Sequence, residues 1–377
     1  MIPLSRPEFG DAEAHAVADV LKSGWVSQGP KVAEFESLIA ARVGAAHGVA
    51  TTSCTTALHL ALVASGIGPG DEVICPSYSF IASANAVLYA GATPVFADIE
   101  GDTWNIDPAD IATRVTPRTK AILAVHQVGL AADLDALRRA APERVAIVED
   151  AACAIGSLYK GQPIGSHGNI ACLSFHPRKT ISLGEGGMVI TNDARVADRV
   201  RRLRSHGASV SDLDRHRAQG LVFEEYRELG YNYRLTDIQA AIGIEQLKRL
   251  DDFLARRRAV ASRYNTAFCT VEQIQTPVEP AYAQHAYQSY AIRLRPGAGI
   301  GRDDMMRALI DAGVSCRRGI PPIHLEPLYF SHGVSLPVTE AVAAESIFLP
   351  MYASLPEADQ ARVIEHVVRI VTNSAAS

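Results

Sequence analysis

Nothing in these 377 residues is apolar for long enough to span a bilayer, and no excess of positive charge is present: 36 Lys and Arg stand against 41 Asp and Glu. A net charge of -5 argues against a nucleic-acid surface. The basic clusters Arg201-Arg202-Leu203-Arg204 and Arg256-Arg257-Arg258 fall in helix-like stretches with acids nearby, and read as solvated faces. Six cysteines (Cys54, Cys75, Cys153, Cys172, Cys269, Cys316) are dispersed without CxxC spacing, so neither a metal site nor a redox pair is expected. Met1-Ile2-Pro3-Leu4-Ser5-Arg6 lacks a charged region followed by an apolar run. The expectation is a reduced, cytoplasmic protein without membrane or nucleic-acid partners. Internal repeats and low-complexity tracts are lacking too.

What is present is an ordinary globular composition, 48% hydrophobic, in a chain long enough for one large core and a smaller one. Between Val49 and Asn192, β-rich apolar runs alternate with helical patterns, the mark of a mostly parallel, doubly wound sheet. The expected strands are Glu72 to Cys75, Pro94 to Ala97, Ala121 to Val125, Val145 to Asp150, Ile170 to Phe175 and Gly187 to Ile190. Their near-continuous apolarity suggests cover on both faces. Thr55 to Ser65 reads as a helix capped by its N-terminal threonines, leaving backbone N–H groups free for an anion such as a phosphate. One amphipathic stretch, Ile238 to Tyr264, crosses toward a second unit. There a strand at Ser289 to Leu294 and helices near 303–312 and 356–371 predict a smaller α+β domain. The division expected is 1–245 and 246–377.

Two residues carry the chemistry. Lys179 ends Ser174-Phe175-His176-Pro177-Arg178-Lys179, just before the turn Gly184-Glu185-Gly186-Gly187. Asp150 ends the buried run Val145-Ala146-Ile147-Val148-Glu149-Asp150, at the carboxyl end of a strand, where open α/β sheets place ligands. Taken singly, a loop lysine and a helix-capping aspartate are commonplace. Presented together they fit a pyridoxal phosphate site, where lysine binds the cofactor covalently and aspartate pairs with its ring nitrogen.

Further segments join them in order: Ser23-Gly24-Trp25-Val26-Ser27-Gln28-Gly29-Pro30, Ser53-Cys54-Thr55-Thr56-Ala57-Leu58-His59-Leu60-Ala61-Leu62, Pro76-Ser77-Tyr78-Ser79-Phe80 and Glu149-Asp150-Ala151-Ala152. After the lysine come Gly230-Tyr231-Asn232-Tyr233-Arg234-Leu235-Thr236-Asp237-Ile238-Gln239 and Pro321-Pro322-Ile323-His324. Over nearly its whole length the chain resembles the DegT/DnrJ/EryC1/StrS family of sugar aminotransferases, perosamine-type synthases in particular.

The resemblance implies a fold-type I aminotransferase, with 1–245 as the large cofactor-binding domain and 246–377 as the small one. Lys179 and Asp150 would be catalytic. Phe80 would stack on the ring of pyridoxal 5′-phosphate, Cys54, Thr55 and Ser174 would cradle its phosphate, and Asn232 would reach that phosphate from the neighbouring subunit of a homodimer. Ser27, Tyr78, Arg234 and His324 would face the substrate. Position 153 departs from the pattern, with cysteine where many relatives carry glutamine or histidine near the cofactor's phenolic oxygen, and a thiol is a weak donor. Glu185, His176 and His206 match the family without an assignable role. The expected reaction moves an amino group from glutamate to a keto group on a nucleotide-linked sugar. Tyr233, where 3-keto enzymes tend to carry serine, suggests a 4-keto-6-deoxy sugar. A cyclitol ketone or a non-catalytic regulatory protein of the same fold are the alternatives, and Lys179 disfavours the family's dehydratases, which carry histidine there.

Overall fold

The computed structural model describes residues 1–210, 215, 218, 220–221, 223–330 and 333–375. Its strands in chain order are β1 (His47–Thr51), β2 (Glu72–Pro76), β3 (Thr93–Ala97), β4 (Thr119–Val125), β5 (Ala146–Asp150), β6 (Leu158–Tyr159) and β7 (Gln162–Pro163). There follow β8 (Ile170–Ser174), β9 (Gly187–Thr191), β10 (Ile274–Gln275), β11 (Ala283–Gln284), β12 (Tyr290–Leu294), β13 (Arg317–Arg318) and β14 (Ser346–Leu349). The main sheet has seven strands in the order β1-β9-β8-β5-β4-β2-β3. Only β9 runs against the rest, pairing antiparallel with both β8 and β1. Helices cover both faces: Phe35 and Ile39 of Pro30–Val43 belong to one core layer, and Leu58 and Leu62 of Cys54–Ala64 to the other. This is the doubly wound, mostly parallel sheet expected. Each expected strand is found, its ends shifted by a residue or two.

A four-stranded antiparallel sheet, β10-β12-β14-β13, builds the second unit with the helices Arg302–Asp311 and Glu357–Ala375. The helix Leu250–Phe268 belongs to both cores, giving Phe253 and Leu254 to the first and Tyr264 and Phe268 to the second. Ile2 also joins the second core, its backbone bonded to Gly313 and Ser315. Among the described residues no helix is long and apolar enough to cross a membrane.

Three readings need correction. The stretch Ile238 to Tyr264 is two helices, Asp237–Lys248 and Leu250–Phe268, broken at Arg249 (φ -100°, ψ 1°). The Arg249 guanidinium is pinned by Glu8 and Glu13 and lies 4.6 Å from the Phe253 ring. Both helices bury the same face, so the apolar period runs on through the break. Second, Ser53 rather than a threonine caps the helix Cys54–Ala64: its hydroxyl accepts from Thr56 N at 3.2 Å, while the Thr56 hydroxyl accepts from Ser53 N at 3.1 Å. Third, each basic cluster hides one arginine. Arg204, 4% exposed, bonds Glu36 and the Ala50 carbonyl, and Arg257 donates to the carbonyls of Tyr287, Gln288 and Met351. Burial, then the charge of Arg256, brings the Arg257 pKa down to about 10.

His285 sits near the joint between the units, 1% exposed, its Nδ1 accepting from Tyr287 N at 2.8 Å. Burial lowers its pKa to about 3 from an ordinary 6.5, outweighing its hydrogen bond to Gly129, and Arg258 adds to the lowering. The folded state therefore holds this ring neutral, while the unfolded chain binds a proton below pH 6.5. Its stabilising contribution is complete above that pH and falls by roughly 1.4 kcal/mol per pH unit on the way down toward pH 3. His285→Asn keeps an acceptor near Tyr287 N but cannot titrate. Denaturant midpoints measured from pH 7 to pH 4 are expected to fall less steeply for this variant than for the parent. Parallel slopes would show that His285 is not a source of the acid sensitivity.

Candidate active site

Because β1, β8, β5, β4 and β2 run the same way, their carboxyl ends share one edge of the sheet, and β9 begins there. The ladder sets Val125 opposite Asp150, Asp150 opposite Cys172, and Thr51 opposite Gly187. A cavity of about 800 Å³ opens at this edge, walled also by the Pro321 segment and by Arg317 of β13. Asp150 faces it, 6% exposed. The Ser83 hydroxyl donates to its Oδ2 at 2.7 Å, and Ala152 N donates to its Oδ1 at 3.1 Å. Glu149, one residue earlier, points to the other side of the strand. It accepts from Asn169 Nδ2 and meets His126 Nε2, both at 2.8 Å. Ala132 N donates to His126 Nδ1 at 3.0 Å, so the His126 proton lies on Nε2, toward Glu149.

Lys179 is carried by the turn that follows β8. Phe175, buried against Phe35 with ring centroids 5.1 Å apart, anchors the turn, and Gln288 donates to the Arg178 carbonyl at 2.5 Å. Lys179 Nζ lies 3.2 Å from Cys153 Sγ. Burial alone would depress the lysine pKa, but Cys153, Cys54 and Asp150 outweigh it and hold the ammonium above its usual range. In this chain the acidic surroundings prevail over burial, and neutralising Nζ falls to what binds. His176 and Glu185 share the cavity wall, Nε2 and Oε1 3.9 Å apart. Burial lowers the His176 pKa, Lys179 and Arg178 adding to it against Glu185.

Cys54, Thr55, Phe80, Cys153 and Ser174 line the same cavity as Lys179 and Asp150. Phe80 is 67% exposed, so it is not core packing. The first N–H groups of the Cys54–Ala64 helix have no intrahelical partner. Gly187 comes so close to this start that a Cβ there would stand 2.3 Å from Ser53 C and 2.5 Å from Cys54 N. Any side chain would push the helix start off the sheet, which accounts for the last glycine of the turn.

The residues expected at the substrate are not on the cavity wall of this chain. Tyr78 is fully buried, its hydroxyl 2.9 Å from Ser346 Oγ, and His324 is enclosed with Nδ1 2.6 Å from Ser77 Oγ. Both join the Pro321 segment to the large sheet. Ser27 and Arg234 flank a structural contact: Asp237 accepts from the backbone N–H groups of Gly29, Lys31 and Val32, capping the helix Pro30–Val43, while Asp237 N donates to Ser27 O at 2.9 Å. Asn232 is exposed, outside its own chain's cavity, and Tyr233 stacks on Tyr231 at 5.0 Å. His206 occupies a left-handed turn (φ 62°). Sequence reasoning missed Ser83, Gln288, Arg178 and Arg317. A hydroxyl four residues after Ser79, at the start of an alanine-rich helix, was the available signal for the first.

Pyridoxal phosphate asks for an amine, an anion at its ring nitrogen and donors around its phosphate. Lys179, Asp150, and the N–H groups at Cys54 and Thr55 with Ser174 supply these on one wall, the Thr56 N–H being taken by the Ser53 hydroxyl. The residues fit the group.

A sequence model of the DegT/DnrJ/EryC1/StrS aminotransferase family matches residues 7–368. The spore coat polysaccharide biosynthesis protein SpsC of Bacillus subtilis (strain 168) is 41% identical, over 98% of this chain and 97% of that one. Among solved structures, S. venezuelae DesV in complex with a ketimine intermediate is 35% identical over 98% of both chains, with a TM-score of 0.89. The sugar aminotransferase CalS13 from Micromonospora echinospora is 30% identical over 98% of this chain and 100% of that one, also at 0.89.

Proposed function

The chain belongs to the DegT/DnrJ/EryC1/StrS aminotransferase family and is a pyridoxal phosphate-dependent sugar aminotransferase, and from that premise we propose that it aminates a nucleotide-linked 4-keto-6-deoxy sugar with glutamate as donor. The observation that carries this reading is the meeting of Lys179, Asp150 and the open start of the Cys54–Ala64 helix in one cavity of about 800 Å³. When bound, the cofactor supplies the carbonyl that takes up the amino group and the ring that accepts electrons. Lys179 holds it and moves the proton at the reacting carbon through Nζ. Asp150 keeps a proton on the ring nitrogen, and Phe80 lies against the ring. The N–H groups at Cys54 and Thr55, with Ser174, bind the phosphate. Donor and sugar take turns in the same cavity. Asn232 completes the phosphate site of a second copy, making the working unit a cytoplasmic homodimer.

A nucleotide-linked sugar brings a diphosphate, and the cavity wall has two cations for it. Arg178 and Arg317 both line it, and neither has a carboxylate partner among the described residues. Burial, then the charges of Arg178 and Arg318, lowers the Arg317 pKa, as expected of a cation short of an anion. The test is a screen of keto-sugar nucleotides and cyclitol ketones against the pyridoxamine form of the enzyme, read as amino product by mass spectrometry. A 4-keto-6-deoxy sugar nucleotide should turn over. Arg317→Ala should raise its KM about tenfold, the worth of one charge-assisted hydrogen bond, and leave the glutamate KM within about twofold. Amination of a cyclitol ketone alone would overturn the reading, and an unchanged sugar-nucleotide KM would remove Arg317 from it.

A further inference from the structure

We propose that Ser83 is a positioning residue for the cofactor's ring nitrogen, acting through Asp150; the inference rests on the reading of the cavity as a pyridoxal phosphate site. Ser83 is 1% exposed and Ser79 3% exposed, and their hydroxyls are 2.8 Å apart. A serine hydroxyl has one proton to give. Ser83 spends it on Asp150 Oδ2 at 2.7 Å, so the contact with Ser79 must run from Ser79 to Ser83. The result is a one-way chain, Ser79 to Ser83 to Asp150, inside the wall of the cavity.

The chain settles how the carboxylate is turned. Ala152 N holds Oδ1 from the same strand end, and Ser83 holds Oδ2 from the start of the helix Ala82–Tyr89. With one donor on each oxygen the carboxylate cannot rotate about its Cβ–Cγ bond without breaking one of them, and the remaining lone pairs are left for a donor inside the cavity. The buried acid would otherwise have two torsions free. Ser79 polarises the Ser83 hydroxyl further, since donors in a chain strengthen one another. Packing alone does not require this arrangement: the helix start could be filled by alanine, the residue on either side of Ser83.

The experiment separates positioning at the ring nitrogen from general damage. Apoprotein is titrated by absorbance and fluorescence with pyridoxal 5′-phosphate and with its 1-deaza analogue, whose ring carries C–H in place of nitrogen, for the parent, Ser83→Ala and Ser83→Thr. Ser83→Ala is expected to weaken the natural cofactor about tenfold, the size of one hydrogen bond at a charged group, and to change the analogue by less than about twofold. Ser83→Thr, which keeps the hydroxyl, should restore the natural cofactor. Equal weakening of both ligands, no weakening of either, or failure of the threonine variant to restore binding would each overturn the role given to Ser83. Failure of the parent protein to bind pyridoxal phosphate would instead overturn the reading of the cavity itself.

Discussion

Lys179→Ala is expected to lower transamination on the order of a thousandfold or more, with the melting temperature hardly changed. The activity loss follows from removing the group that both binds the cofactor and carries its proton, general acid–base action alone being worth about 10²–10⁴-fold. The fold should survive because no buried anion is orphaned: Asp150 keeps its bonds from Ser83 and Ala152, and only the Cys153 thiol loses a neighbour. Turnover within about tenfold of the parent would rule Lys179 out as the catalytic lysine. The same variant tests the shared site. Mixed with Asn232→Asp subunits and allowed to exchange, it should regain activity, because one site of each mixed dimer then combines an intact Lys179 with an intact Asn232. The aspartate places a negative charge near the phosphate, which in a partly desolvated site costs on the order of a few kcal/mol of cofactor affinity. Subunit exchange shown by mass spectrometry without recovery would mean that Asn232 serves its own chain or not the phosphate.

For Asp150→Asn the expected result is a slow enzyme that still binds its cofactor. The amide keeps the shape, but only its oxygen accepts: it can keep the Ala152 donor, while its NH2 group faces a Ser83 hydroxyl that must turn to accept, and it no longer sets a negative charge against the ring nitrogen. A carboxylate beside a cation shifts a pKa by about 1–3 units, so the ring nitrogen should lose its proton more readily and proton transfer slow on the order of a hundredfold. Binding through the phosphate should persist. Stopped-flow absorbance of the half-reaction with glutamate is the measurement, and a parental rate would show that Asp150 does not hold the ring nitrogen.

Much of this fold could be read from the chain because its central strands are covered on both faces. Runs such as Ala121 to Val125 and Ile170 to Ser174 are buried along nearly their whole length, so apolarity marks them directly. The break at Arg249 escaped because neither glycine nor proline marks the spot, and the partners that hold its guanidinium, Glu8 and Glu13, are far away in sequence. Lys179 and Asp150 announced themselves by place, one at a strand end and one beside a glycine turn. Ser83 did not, since a serine at a helix start is ordinary until its partner is known. Motif matching also gathered in residues whose work in this chain is structural. Glu149 holds His126 from behind the cavity wall, and His324, enclosed off that wall, holds Ser77. Ladder position separates Asp150 from Glu149, but only the tertiary fold sends His324 inward.

The Asp237 cap bears on how this enzyme can be recombined with its relatives. A single carboxylate ties three backbone N–H groups of the Gly29 to Val32 segment to the start of the helix Asp237–Lys248, and the same helix start holds the Glu185 carbonyl through Gln239 at 2.7 Å. Segments more than 200 positions apart are therefore one heritable part. A chimera that imports residues 23–43 from another family member while keeping 230–239, or the reverse, would inherit a cap and a capped helix shaped by different histories. Crossovers placed so that both segments travel together with the Glu185 turn preserve the joint.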